Sequence, residues 1–281
     1  MIVDAKTKNP QRGTPARAIS PPVETSEQPA AMPRLVGRLG PALASLGAGL
    51  LLWQLLAMVA PNPPTLLPGP GVVAARLWDL AVRGILWHHA GVTLTEAGLG
   101  FLLAAVLGLA LGYPVAKSRL LEALLAPYVA GTQAVPIVAI APLMVLWFGL
   151  DLLPKVLTCA VIVFFPILVN TIIGLRSVDR ALIEAAHSMG AGPWQTLRYV
   201  EAPLALRSIL GGLKLGITLS MTGAVVGEFI AANAGLGYLL TYGRSIYDTP
   251  LVFAALVSLA ALASLGYGLI TLAERRIIDW E

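Results

Sequence analysis

Six stretches of this chain, residues 41–60, 94–115, 124–148, 156–175, 209–231 and 251–272, are nearly unbroken apolar runs. Each is long enough for a helix, rising ~1.5 Å per residue, to cross a hydrocarbon core of ~30 Å. Lipid offers a backbone no water to bond, so each run must satisfy its own N–H and C=O groups, as a helix does. The pattern predicts an all-α integral membrane protein with six transmembrane helices. With 57% of its 281 residues hydrophobic and only 12% charged, the chain has no stretch left that could form a soluble catalytic domain. The single cysteine, Cys159, lies inside an apolar run; it has no intrachain partner and reads as a small packing residue. Residues 1–38 are rich in Pro, Ser, Thr and charge without an apolar period, which predicts a disordered tail. No small-residue cleavage pattern follows the first apolar run, so that run is expected to stay as an anchor.

Residues 39–92 are expected to hold the first transmembrane helix, an outer proline loop ("PNPPTLLPGP") and an amphipathic surface helix over 71–83. In that helix Val73, Leu77 and Leu80 oppose Arg76, Asp79 and Arg83. Residues 93–281 form the remaining core. Basic residues set the orientation. Arg34, Arg38, Lys117, Arg119, Arg176, Arg180, Arg198, Arg207, Arg275 and Arg276 fall on one side, against Arg76, Arg83, Lys155 and Arg244 on the other, which predicts both termini in the cytoplasm. Gly100, Ala104, Gly108 and Gly112 recur every fourth residue along one helix face, as do Gly212, Gly216 and Ser220 along another, so both faces are expected to meet other helices closely. Pro127, Pro136 and Pro142 should bend the third run.

The longest predicted inner loop, about 176–206, contains "IEAAHSMGAGPW". Asp179 can cap a short helix whose apolar residues Leu182, Ala185, Ala186 and Met189 share a face; Gly190 can end it in a left-handed turn, and Gly192-Pro193 can start a second. From the residues alone, this helix–hinge–helix is either a docking element for a soluble partner or a helix lying on headgroups. Polar groups inside the apolar runs, namely Thr132, Gln133, Asn170, Thr171, Thr218, Ser220, Thr222 and Glu228, either line a solute path or bond helix to helix. His88 and His89 are adjacent and point apart on a helix, so no metal site is expected, and no nucleophile–base pair marks a catalytic site.

Glu184, Ala185, Ala186 and Gly190, followed by Pro203 in "VEAPLA", resemble the cytoplasmic loop of permease subunits of ATP-binding-cassette (ABC) importers. Glu201 stands where that family has an apolar or neutral residue. The stretches "PIVAIAPLMVLWFGLDLLPKV", "GEFIAANAGLGYLL" and "AERRIIDW" are similar to the nitrate, sulfonate, taurine and bicarbonate branch. The resemblance implies a type I importer fold in the bacterial inner membrane and a second permease copy. It also implies an extracytoplasmic solute-binding protein and a separate ATPase subunit that binds ATP and Mg, since this chain has no G-x-x-x-x-G-K-S/T loop. It further implies that Glu184, Ala185, Ala186, Gly190 and Pro203 form the ATPase-coupling element, with a small, anionic solute passing Thr132, Gln133, Asn170, Ser220, Thr222 and Glu228. The rival reading is a secondary transporter with Glu228 as its ion-coupling group; it would call for further intramembrane charges and inverted repeats, and no repeat is visible.

Overall fold

The computed structural model describes residues 35–59, 66–134 and 137–277, so the N-terminal tail up to residue 34, the first half of the proline loop and Pro136 lie outside the described residues. Every regular element among the described residues is helical. The chain divides into two compact units, Met1–Gly47 and Ala48–Glu281. The described part of the first is the opening half of α1 (Leu35–Val59). The second carries all that follows: α2 (Pro70–Val82), α3 (Ile85–Lys117), α4 (Arg119–Ala134), a 3-10 turn (Ile137–Ala139), α5 (Ala141–Phe148), α6 (Leu152–Arg176), α7 (Arg180–Ser188), α8 (Pro193–Thr196), a π turn (Leu197–Glu201), α9 (Ala202–Ala231), α10 (Leu236–Ser245) and α11 (Thr249–Ile277).

Four helical segments among the described residues are long and apolar enough to cross a membrane: Ile85–Lys117, Leu152–Arg176, Pro193–Ile230 and Thr249–Ile277; a shorter apolar helix covers Ala44–Val59. The third predicted span is different. It is two helices, α4 and α5, joined through a 3-10 turn, with Pro142 in the first turn of α5. A proline there forgoes an N–H that would have no intrahelical partner, so it starts a helix more readily than it continues one.

The centre of the second unit is α6, held between α3 and α9. A Cβ placed on Gly108 would lie 2.9 Å from Ile167 Cγ2, and one on Gly112 would lie 2.5 Å from Thr171 Cγ2. On the other side, a Cβ on Gly212 would reach within 2.6 Å of Asn170 Cβ, and one on Gly216 within 3.0 Å of Val163 and Ile167. The bare glycine faces predicted from spacing are where helices of the same chain meet backbone to side chain. Without a hydrophobic force between helices in lipid, such close van der Waals contact is the main source of association.

Around this centre, α11 packs on α9, α10 and α2. The 71–83 helix forms as predicted in extent, but its apolar edge covers protein rather than headgroups: Val73 and Leu80 are buried with Leu251 and Ala254. Arg76 bonds Asp248 at 2.5 Å and Asp79 at 3.2 Å, pinning α2 to the start of α11. Lys214 pairs with Glu274, joining α9 to α11. By contrast, α4 is secured chiefly at its first turns, where Arg176 pairs with Glu122; the guanidinium holds that exposed carboxyl below the usual carboxylate range.

Gly100 and Gly98 separate the packing effect from glycine's general cost in a helix. A Cβ on Gly100 overlaps Cys159, whereas one on Gly98 meets nothing within 4 Å. Gly100→Val should therefore lower stability by about 1–3 kcal/mol, the range for overpacking, while Gly98→Val should stay near wild type. Thermal unfolding of the purified protein in detergent measures both.

Candidate functional site

The loop between α6 and α9 is built by local capping. Asp179 Oδ1 accepts the Ala181 N–H at 2.9 Å and starts α7. At the other end Gly190 adopts φ +84°, while the Gly190 N–H donates to His187 O at 2.9 Å and the Ala191 N–H to Ala186 O at 3.0 Å. These bonds occupy carbonyls that the last helical turn leaves open. A Cβ on Gly190 would touch nothing, so it is the left-handed backbone, not space, that asks for glycine. The Gly192 N–H donates to Gln195 Oε1 at 2.9 Å, α8 follows, and the π turn delivers the chain into α9 with Pro203 in its first turn.

The face that shares Leu182, Ala185 and Met189 is not the one by which α7 packs on the rest of the chain. Ile183 of α7 is the anchor, packing with Leu197 and Val200 against Leu175, Val178 and Ala205. Leu182 is 48% exposed, Met189 88%, Trp194 69% and Tyr199 71%, while Glu184 and Ala185 also face outward. The residue pattern marks two apolar edges on α7, and only the one bearing Ile183 can reach the short cluster at the helix ends. The loop thus offers an uncovered, mostly apolar surface bearing one carboxylate. Glu201, at the end of the π turn, is 1% exposed and pairs with Lys117 at the end of α3. The pair compensates a charge that would otherwise be buried alone.

The polar residues of the apolar runs separate into different surroundings. The side chains of Thr132 and Gln133 lie outside the described residues. Ser220 is fully buried against α6, with Oγ donating to Ile217 O at 2.8 Å, so it serves helix packing and does not line a path. Thr171 is likewise buried, its hydroxyl donating to Ile167 O at 2.7 Å. Asn170 Nδ2 donates to Pro166 O at 2.8 Å, and Asn170 O accepts from Ser208 Oγ at 2.9 Å across to α9. Thr218 and Thr222, four residues apart on α9, are exposed beside Leu215.

Glu228 closes the opposite end of the bundle. It is 2% exposed, and its carboxylate accepts from Thr93 Oγ1 at 2.6 Å, the Gly237 N–H at 2.5 Å and the Tyr238 N–H at 3.2 Å. The acid caps the first turn of α10, where the helix dipole also favours a negative charge. These donors leave it no solute-facing oxygen, which corrects its placement on the path and removes the support for an ion-coupling role. Gly235, at φ +118°, lies so close to this carboxylate that a Cβ would overlap it. Beside it Lys155 Nζ donates to Glu96 Oε1 at 2.7 Å in a buried pair linking α6 to α3. Sequence reasoning passed over that pair, although the signal was present: Glu96 precedes Gly100 by four residues, and Lys155 precedes Cys159 by four, so each continues a face that packs. Glu228→Ala would leave the Gly237 and Tyr238 N–H groups unpaired, at about 1–3 kcal/mol for each buried one, while Thr93 keeps His89 O as acceptor, and should melt α10 before the core. Faster amide hydrogen exchange confined to residues 235–245 is the expected result.

The family model described as "Binding-protein-dependent transport system inner membrane component" matches residues 100–279. The riboflavin transport system permease protein RibX of Chloroflexus aurantiacus is 49% identical over 232 residues, covering 83% of this chain and 87% of that protein. The putative aliphatic sulfonates transport permease protein SsuC of Bacillus subtilis is 34% identical over 230 residues, covering 82% and 83%. In fold, an inward-facing structure of the MetNI methionine ABC transporter superposes with a TM-score of 0.60 at 23% identity, covering 72% of this chain and 98% of that one. The chain therefore belongs to the binding-protein-dependent inner-membrane component family: it is a multi-pass permease subunit of an ABC importer, a class that works with a separate ATPase and a solute-binding protein.

Proposed function

We propose that the α7–α8 loop is the element through which ATP hydrolysis drives this permease. The observation that carries the reading is the uncovered surface of Leu182, Ala185, Met189 and Trp194 around Glu184, set at a fixed angle by Gly190. Large apolar side chains left open beside a rigid hinge suit a protein partner better than water. In this reading Glu184, Ala185, Ala186, Gly190 and Pro203 form or brace the docking element, the ATPase subunit holds ATP and Mg, and the loop end faces the cytoplasm with both termini. The basic residues Lys117, Arg119, Arg176, Arg180 and Arg198 at that end support the orientation.

A second copy of the permease completes the pathway, with the exposed α9 strip of Leu215, Thr218 and Thr222 facing the two-fold axis. For the solute, a planar heteroaromatic compound of the riboflavin kind is supported by the 49% identity to RibX. The strip is uncharged, and the nearby Lys214 is committed to Glu274. A sulfonate-like small anion is the second reading, favoured by the 34% identity to SsuC.

Gly190→Val imposes a left-handed conformation on a β-branched residue, at about 1–3 kcal/mol, and so misdirects the second short helix. Glu184→Lys reverses the one charge on the docking surface. Both variants should lose solute-stimulated ATP hydrolysis and retain less ATPase on co-purification, whereas Arg83→Ala, far along the chain just past the end of α2, should behave as wild type. Full coupling in both loop variants would refute the assignment. In the same vesicles, uptake of riboflavin set against taurine with the cognate binding protein decides between the two solute classes.

A further inference from the structure

A cleft of about 690 Å³ opens between the α3–α4 junction and α7. Lys117, Arg119, Arg176 and Arg180 line it, together with Glu122 and Glu184. Two of the cations are occupied: Lys117 pairs with Glu201, and Arg176 with Glu122. The guanidinium groups of Arg119 and Arg180, the first residues of α4 and α7, have no ion-pair or hydrogen-bond partner among the described residues. With Glu184 also lining the cleft, these two guanidiniums leave one positive charge in excess in that concavity.

Directly beside it, sharing Glu122 and Arg176 as a common wall, lies an apolar groove of about 570 Å³. Leu125, Ala126 and Val129 of α4 form one side, and Leu168, Val169 and Ile172 of α6 the other. From Glu122 to Val129 a helix rises ~10 Å, so the groove runs roughly two turns from the charged end into the apolar level. Among the described residues no side chain closes it, because α4 packs on α3 at its start and has no comparable contact with α6.

We propose that cleft and groove together bind one anionic phospholipid, its phosphate between Arg119 and Arg180 and an acyl chain between α4 and α6. A free anion would satisfy the guanidiniums and leave the groove empty. A helix of a second copy would fill the groove and leave the guanidiniums unpaired. An anionic phospholipid meets both needs with one molecule, and guanidinium is the side-chain group best matched to phosphate oxygens. Since Arg180, Ile183, Glu184 and His187 of α7 also line the cleft, the bound headgroup steadies the loop and so raises coupled ATP hydrolysis. That last consequence rests on the coupling role proposed above; the binding itself does not.

The test uses the full permease–ATPase complex, stripped of lipid in detergent and titrated by native mass spectrometry. Phosphatidylglycerol, phosphatidylcholine and glycerol 3-phosphate are the probes. Phosphatidylglycerol should bind in preference to the other two. Arg119→Ala should weaken it about fivefold, corresponding to about 1 kcal/mol for one basic residue at an anionic lipid. Arg119→Lys should recover part of that loss. Ala126→Trp fills the groove and should abolish retention of phosphatidylglycerol while leaving the complex assembled and its thermal midpoint unchanged. Equal binding of the two phospholipids, binding of glycerol 3-phosphate as tight as that of the lipid, or wild-type retention in Ala126→Trp would each overturn the site, as would a disulfide between Ala126→Cys residues of two copies. If phosphatidylglycerol binds but leaves ATP hydrolysis in vesicles unchanged, the site stands and its link to the loop is overturned.

Discussion

The close approach of α3 and α9 to α6 is the interaction on which the rest of this permease depends. Lipid is as apolar as a leucine side chain, so burying apolar surface gives little reason for these helices to associate; contact at short range must do it. Along α3 the faces of Gly100, Gly108 and Gly112 meet Cys159, Ile167 and Thr171, and along α9 Gly212 and Gly216 meet Asn170, Val163 and Ile167. Those contacts make one body of three helices that are distant in sequence. Both ends of that body then carry something specific: the α6–α9 loop at one, the Glu228-capped α10 at the other.

Buried charge marks both ends. Lys155–Glu96 closes the α3–α6 seam near α10, and Lys117–Glu201 ties the end of α3 to the π turn that leads into α9. Lys155–Glu96 is desolvated on both sides, whereas in Lys117–Glu201 only the glutamate is buried; removing the lysine from either would leave a buried carboxylate uncompensated. For Lys155–Glu96, sliding α3 along α6 would strand a charge in an apolar seam, so the pair favours one register of the two helices. The loop is consequently held to α3 by an ion pair and to α6 and α9 by the cluster around Leu175, Val178 and Ala205. A force applied at its exposed surface would reach all three helices together.

How much was legible in the sequence follows from the range of each signal. Helix extent, the glycine faces, the Asp179 cap and the Gly190 turn are local, set by spacing over a few residues and by backbone conformations that few side chains allow, and they can be read along the chain. The prolines of the third apolar run announce a bend, but hydropathy does not record whether a proline bends a helix or begins a new one, as Pro142 does in the first turn of α5. Ser220 and Glu228 were placed on a solute path because a polar residue in an apolar run announces a partner without naming it. The partners, the α6 surface for one and the first turn of α10 for the other, lie on separate elements.

By itself, then, the sequence determined that this chain lives in a membrane, that it is helical, and where it carries the loop pattern of an importer permease, since length, hydropathy and local motif suffice for each. Only the tertiary structure decided which face of each helix is covered. It turned Ile183 inward and left Leu182 and Met189 open, paired Glu96 with Lys155 across 59 residues of sequence, and set α2 against α11 instead of lipid. The reason is physical: a side chain's periodicity tells which residues share a face, but what that face meets depends on helices brought together from elsewhere in the chain, and no window along the sequence contains both.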